Sequence, residues 1–84
     1  SRMSESERGT VRETFFVSQV GNSFKTTIAD KGDFKVSERY VFEIGGSGKD
    51  AGQIKGIKDS YVAADGIEVG FGNKIPLYLF GFLY

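Results

Sequence analysis

The chain has 84 residues, enough for one small domain, and its 11 Lys and Arg balance 11 Asp and Glu for a formal net charge of zero. A protein that binds duplex DNA mainly through phosphate contacts usually carries a basic excess, so this charge balance argues against strong autonomous DNA binding. The absence of Cys and His excludes disulfides, structural zinc and histidine-based catalysis within the chain. A bound metal would therefore be a hard ion with oxygen ligands, such as Mg²⁺ or Mn²⁺.

The sequence carries neither a run of about 20 apolar residues nor an apolar signal region at the N-terminus. We therefore expect a cytoplasmic protein that does not contact a membrane. Residues 1–8 are interpreted as an expression-tag remnant or a flexible N-terminus, and residues 9–84 as a single domain. Its 12 Gly, 8 Phe and 4 Tyr are typical of a turn-rich domain with an aromatic core.

The first predicted element is a helix over residues 4–20, in which apolar side chains recur four positions apart and so share one stripe. Two capping boxes are available at its start, Ser4 with Glu7 and Thr10 with Glu13. The glycine before Thr10 favours the second start. In that case Glu13 has a capping role and the first residues are frayed.

Three strands are predicted next, the first over residues 24–28 and the other two within a hairpin over residues 32–49. Apolar and charged side chains alternate in the hairpin, which places each set on one face. A loop at residues 37–39 sets Phe34 opposite Phe42. This register buries one apolar face, and burial of one face is what fixes the register of a hairpin.

The same register sets Asp33 directly opposite Glu43, with Cβ atoms about 5 Å apart. Like charges in directly opposed positions destabilise a sheet. The pair therefore indicates either a divalent cation between the two carboxylates or a nearby basic side chain. In the second alternative, the two carboxylates lie on a solvated polar face, and Lys35 or Arg39 balances their charge.

The remaining elements are predicted in this order: a glycine-rich loop over residues 45–49, a short helix over 50–57, a strand over 61–64, a fifth strand or extended tail over 67–69, a loop over 70–74, and a final helix from Pro76. The complete order, α-β-β-β-α-β followed by a C-terminal apolar segment, predicts an α/β fold with a small mixed sheet flanked by helices.

Residues 75–84 carry no charge. They either pack against the sheet or form a partner surface through Leu77, Tyr78, Phe80 and Phe82.

Several segments together resemble a known family. They are Gly9-Thr-Val-Arg-Glu-Thr-Phe-Phe16, Gly32-Asp-Phe34, Phe42-Glu-Ile-Gly-Gly46, Gln53-Ile-Lys55 and Gly72-Asn-Lys-Ile-Pro-Leu77 with Leu79-Phe-Gly-Phe-Leu-Tyr84. The element order resembles the PD-(D/E)XK phosphodiesterase superfamily. The segments are similar to the C-terminal endonuclease-like domain of prokaryotic predicted AAA+-type ATPases. This resemblance covers about residues 9–84 and implies a restriction-endonuclease-like core and an N-terminal ATPase module as partner.

The resemblance also implies a set of site residues. Glu13 matches the carboxylate of the first helix, Asp33 the strand aspartate, and Glu43 the glutamate of Glu-x-Lys, and together they would bind Mg²⁺ or Mn²⁺. The lysine of Glu-x-Lys belongs at position 45, where this chain has Gly45. Lys49, beyond the glycine-rich loop, is then the candidate for the third catalytic residue beside Asp33 and Glu43.

Two functions follow as hypotheses. The first is a nuclease-like domain that has lost the motif lysine, a pseudo-nuclease that binds nucleic acid or regulates its ATPase. In this reading Gln53 matches a helix glutamine of some nuclease branches. The second is a non-catalytic oligomerisation module that dimerises through the apolar segment at residues 75–84.

Overall fold

The computed structural model describes residues 2–83, so Ser1 and Tyr84 lie outside the described residues. Within this range the chain forms one α-helix, five strands in a mixed sheet and two 3₁₀ helices. Their bounds are α1 (Glu5–Gly21), β1 (Thr26–Ile28), β2 (Phe34–Val36), β3 (Tyr40–Gly45), a first 3₁₀ helix (Gly52–Ile54), β4 (Ser60–Ala64), β5 (Lys74–Pro76) and a second 3₁₀ helix (Leu77–Phe82). Over residues 2–83, no helix combines the length and apolar character needed to cross a membrane.

The strands follow one another across the sheet in chain order, from β1 to β5. The first three pair antiparallel, whereas β4 is parallel to both β3 and β5. The predicted register of the hairpin is confirmed, since Phe34 lies opposite Phe42. Ser37 and Glu38 in its loop both have positive φ, the conformation that matches a tight turn to the twist of the flanking strands.

Helix α1 begins at the first of the two capping boxes. The Ser4 hydroxyl accepts a hydrogen bond from the Glu7 N–H at 3.1 Å, and the Ser4 N–H donates to the Glu7 carboxylate at 2.8 Å. Thr10 lies inside the helix, where its hydroxyl donates to a backbone carbonyl one turn earlier. The favoured second start is therefore wrong, and residues 5–8 form the first helical turn. Glu13 consequently has no capping role.

The two faces of the sheet carry separate hydrophobic clusters. The helix face packs against α1 and the second 3₁₀ helix, and its buried residues are Phe16, Val20, Val36, Phe42, Ile44, Ala63 and Leu77. The loop face packs against the first 3₁₀ helix, and its buried apolar residues are Val41, Ile54, Val62 and Ala64. Because side chains alternate along a strand, neighbouring residues of β3 and β4 serve opposite faces.

The C-terminal half departs from the predicted elements. The helix expected over residues 50–57 shrinks to the 3₁₀ turn at Gly52–Ile54, because the glycines at 52 and 56 lower helix propensity. The fifth strand forms at Lys74–Pro76, within and beyond the predicted loop, and residues 67–69 form no strand. Parallel pairing with β4 determines this strand, and Pro76 is tolerated because β5 is an edge strand.

Candidate functional site

Asp33 lies directly before strand β2, and Glu43 lies within the neighbouring strand β3. The Asp33 N–H donates to the carbonyl of Phe42 at 2.8 Å, although Phe42 pairs with Phe34 in the ladder, so this bond is displaced by one residue from the β2–β3 register. Asp33 Oδ2 accepts a hydrogen bond of 2.7 Å from the backbone N–H of Ile44. The Asp33 carboxylate is therefore held beside β3, whereas the predicted direct pairing of Asp33 with Glu43 lies outside the β2–β3 ladder, which begins at Phe34.

Glu43 is the buried charged residue of the loop face, with only 2% of its surface exposed. When both Glu43 and Asp33 are ionised, the Oε2 atom of Glu43 has no hydrogen-bond partner. Loss of hydration on burial raises the pKa of Glu43 to about 7, and the neighbouring Asp33 carboxylate acts in the same direction. Leaving a buried polar atom unpaired costs about 1–3 kcal/mol, and more for a charged group. The ionised form of Glu43 is therefore unfavourable for folding.

Lys49 approaches this pair across the glycine-rich loop. Its Nζ lies 3.7 Å from Glu43 Oε1, an ion pair that is too long for a good hydrogen bond. A Cβ atom placed on Gly45 would lie between 2.6 and 2.8 Å from the Cβ, Cγ and Cδ atoms of Lys49. The Lys49 side chain therefore fills the space that a side chain at position 45 would occupy. We call this space the Gly45 gap.

Glu13 lies near the pair without joining it in one cluster. It is half-buried, and its pKa is raised by burial first and by the negative charge of Asp33 second. Residues 2–83 contain no group of three or more His, Cys, Asp or Glu side chains placed to hold one metal ion. The described residues therefore offer Asp33 and Glu43 as a two-carboxylate site, with Glu13 at its edge.

Gln53 is exposed on the first 3₁₀ helix. It borders a cavity of about 440 Å³ together with Asp30, Lys31 and Gly32, the three residues that precede Asp33. Gly32 has a φ of +80°, and a Cβ there would lie 3.0 Å from both the Ile54 and Val41 side chains. Glycine thus allows the chain to pass close to the loop face directly before Asp33.

Arg12 is a residue of the site region that the sequence did not single out. Its guanidinium pairs with Glu5 at 2.9 Å and with Asp65 at 3.1 Å, and these two hydrogen bonds raise the pKa of Arg12. A Cβ on Gly46 would lie 3.3 Å from its Nη2 atom. Arg12 therefore connects α1 and the turn after β4 to the loop that carries Lys49. Sequence patterns gave no signal for it, because a charge on a helix usually marks a solvated face.

The four residues predicted as a partner surface divide into two pairs. Leu77 is buried in the helix-face cluster, and the Phe80 ring packs 5.0 Å from Phe16. Tyr78 and Phe82 are instead 51% and 62% exposed. A partner surface at this segment would therefore consist of Tyr78 and Phe82, while Leu77 and Phe80 anchor the segment to the sheet.

Comparison of the chain with protein-family models, with curated proteins and with solved structures gives no match. The chemistry of the site is that of oxygen ligands with one basic side chain. Mg²⁺ is commonly bound by one or two carboxylates, with waters and substrate phosphates completing the shell. Asp33 and the unpaired Oε2 of Glu43 fit such an ion.

Proposed function

We propose that this chain is a nuclease-like domain of the PD-(D/E)XK type, in which Asp33 and Glu43 bind one Mg²⁺ or Mn²⁺ ion and, beside it, a phosphodiester of nucleic acid. The observation that supports this proposal is the buried Glu43 Oε2, which has no partner within the chain when Glu43 and Asp33 are both ionised. A divalent cation would satisfy this oxygen. It would also stabilise the ionised form of a carboxyl group whose pKa burial raises to about 7.

A bound divalent ion acts as a Lewis acid on a phosphoryl oxygen and lowers the pKa of its bound water. The residues of this chain supply the orientation. The hydrogen bond from Ile44 holds the Asp33 carboxylate against β3. The Lys49 ammonium, close to Glu43, adds a positive charge that attracts a phosphate.

We infer that the domain binds nucleic acid and does not cleave it at an enzymatic rate. Catalysis requires site groups held within about 0.5 Å of the productive geometry. Here the lysine comes from a glycine-rich loop instead of strand position 45, and a three-carboxylate metal group is not found in residues 2–83. The domain is then a pseudo-nuclease that binds DNA or regulates the AAA+-type ATPase module to which the resemblance attaches it, in the prokaryotic cytoplasm.

The experiment is a Mn²⁺ titration followed by backbone NMR, with labelled DNA added at saturating metal. We expect saturable effects around residues 33 and 43, tighter DNA binding with metal than without it, and no turnover. The variant Asp33→Asn keeps an oxygen for the Ile44 N–H and should lose the metal effects. The control Asp30→Ala removes a carboxylate from the same loop and should retain them. DNA binding that is identical with and without Mn²⁺, or in Asp33→Asn, would refute the proposal.

A second candidate function is supported by the exposed residues of the C-terminal segment. Tyr78, Leu79 and Phe82 are each at least 44% exposed, and Val11 on α1 is 53% exposed. Val11 and Tyr78 border one cavity of about 260 Å³. Exposed apolar patches often mark protein interfaces, so this surface favours self-association with a second copy of the chain.

Sedimentation equilibrium tests this alternative. A dimer that Phe82→Ser converts to a monomer would support it, because the substitution removes an exposed ring while leaving the helix-face cluster in place. The matched control is Phe71→Ser, which removes a ring that is 70% exposed but lies outside the segment. A wild-type chain that stays monomeric at the highest soluble concentration excludes the dimer.

A further inference from the structure

The carboxylate pair has a basic partner within the chain, the ammonium of Lys49. The 3.7 Å separation between Nζ and Glu43 Oε1 shows that this ion pair is loose. The side chain reaches Glu43 only through the Gly45 gap, since any Cβ at position 45 would overlap its stem. The segment between Glu43 and Lys49 is short and contains three glycines. Its turn is closed by one hydrogen bond, from the Lys49 N–H to the Gly46 carbonyl at 3.0 Å.

A divalent cation at this site would compete with Lys49. Its oxygen ligands lie about 2.0–2.6 Å from the ion, so a cation on Oε2 of Glu43 would share one carboxyl group with the Lys49 ammonium, whose Nζ is 3.7 Å from Oε1. Two ionised carboxylates carry a charge of minus two, which one divalent ion balances. Lys49 would then be an unbalanced positive charge next to the metal, and like charges at short range repel strongly in a partly buried site.

We propose that Lys49 and a divalent cation exclude each other at Glu43, so that metal binding displaces the Lys49 side chain from the Gly45 gap. The displaced ammonium then becomes available for a phosphate. This inference rests on the proposed metal site and adds its regulation. In the absence of metal, Lys49 is the counter-ion of Glu43, and it lowers the apparent metal affinity.

Two variants test the competition by Mn²⁺ affinity, measured by calorimetry. Lys49→Met removes the charge but keeps an unbranched stem for the Gly45 gap, and we expect it to bind Mn²⁺ about tenfold more tightly, equivalent to about 1.4 kcal/mol. Gly45→Ala places a methyl group where the Lys49 stem runs and should also tighten binding, because it displaces the side chain. Lys55→Met removes an exposed lysine and serves as the control for a general loss of positive charge.

A second measurement follows the lysine itself. In the wild-type chain, the nuclear Overhauser effect between the Gly45 Hα and Lys49 Hγ protons should be present without metal and lost at saturating Mg²⁺. Heteronuclear correlation spectra of each variant would establish that it is folded.

The outcomes separate this inference from the metal site on which it rests. Asp33-dependent Mn²⁺ binding that is no tighter in Lys49→Met and Gly45→Ala, or a Gly45–Lys49 contact that survives saturating Mg²⁺, overturns the competition and leaves the metal site intact. Failure of the wild-type chain and of every variant to bind Mn²⁺ overturns both. Tighter binding in Lys49→Met and Gly45→Ala but not in Lys55→Met supports the competition.

Discussion

The helix face and the loop face of the sheet bury side chains of different chemistry. On the helix face, the Phe16 ring lies 5.9 Å from Phe34, 5.0 Å from Phe42 and 5.0 Å from Phe80. Every buried residue of that cluster is apolar. The loop face is smaller, and among its aliphatic side chains stands the buried carboxylate of Glu43.

This difference assigns separate tasks to the two faces. Burying aromatic rings removes large apolar areas from water and brings additional stabilisation from ring–ring contacts. Burying an ionisable group without a hydrogen bond to one of its oxygens has the opposite effect, because it lowers the free energy of unfolding. The helix face therefore stabilises the fold, and the stability that it supplies allows the loop face to keep a group that is unfavourable for folding.

The most direct way to break this comparison is to truncate the centre of the helix face. Phe16 is fully buried, so Phe16→Ala should lower the free energy of unfolding by about 3–5 kcal/mol. Small domains have only about 5–15 kcal/mol in total, so a large part of the stability would be lost. Urea unfolding followed by circular dichroism measures the change.

The matched control for Phe16→Ala is Phe82→Ala, which truncates a ring that is 62% exposed. We expect it to change the free energy of unfolding by no more than about 0.5 kcal/mol. If the two truncations had similar effects, the helix face would not be the main source of stability.

The second prediction tests the loop face through pH. Burial raises the pKa of Glu43 from 4.5 to about 7 in the folded chain, so between these values the folded state holds a proton that the unfolded state has released. The proton on Glu43 contributes fully to the stability of the folded chain below pH 4.5, and this contribution is lost as the pH rises through 7. The free energy of unfolding falls over this range by up to about 1.4 kcal/mol per pH unit. Glu43→Gln should remove this dependence and be more stable than the wild type by about 3 kcal/mol at pH 8.

Urea unfolding at pH 4, 6 and 8 measures this difference, which should be small at pH 4 and grow with pH. Carboxyl groups away from this site affect both chains equally, so the difference between the wild type and Glu43→Gln reports on Glu43 together with the Asp33 carboxylate that interacts with it. Glu68→Gln, on an exposed side chain, controls for the loss of one charge. Parallel pH profiles for the wild type and Glu43→Gln would show that Glu43 is not a destabilising group of the loop face.

The part of the site within the β2–β3 hairpin could be predicted from sequence because its determinants are local. Alternation over a few residues and a short loop fix the register that pairs Phe34 with Phe42. Asp33 departs from that register by one residue, because its N–H bonds to the Phe42 carbonyl. Burial of Glu43 could not be predicted in this way. It depends on β4 and on the first 3₁₀ helix, which cover the loop face from distant parts of the sequence.

The position of Lys49 shows a second limit. Spacing alone made it a departure from Glu-x-Lys, because strand β3 ends at Gly45 and a lysine six residues after the glutamate lies beyond the strand. The loop between them turns back, so that the side chain enters the Gly45 gap. Strand β5 is a similar case, since its three residues acquire their structure only by pairing with β4.

The smallest expected change in stability comes from the N-terminal cap of α1, which belongs to neither face of the sheet. Ser4 caps the helix with two reciprocal hydrogen bonds to Glu7, and Ser4→Ala should lower the free energy of unfolding by about 1 kcal/mol, because the Glu7 N–H loses its acceptor. Thr10→Ala is the control, since Thr10 lies within the helix and alanine has the higher helix propensity there. Mn²⁺ affinity should be equal in both variants and the wild type, because the cap is remote from the carboxylate pair in sequence and shares no hydrogen bond with it. A larger loss of stability in Thr10→Ala than in Ser4→Ala would instead place the start of the helix at Thr10.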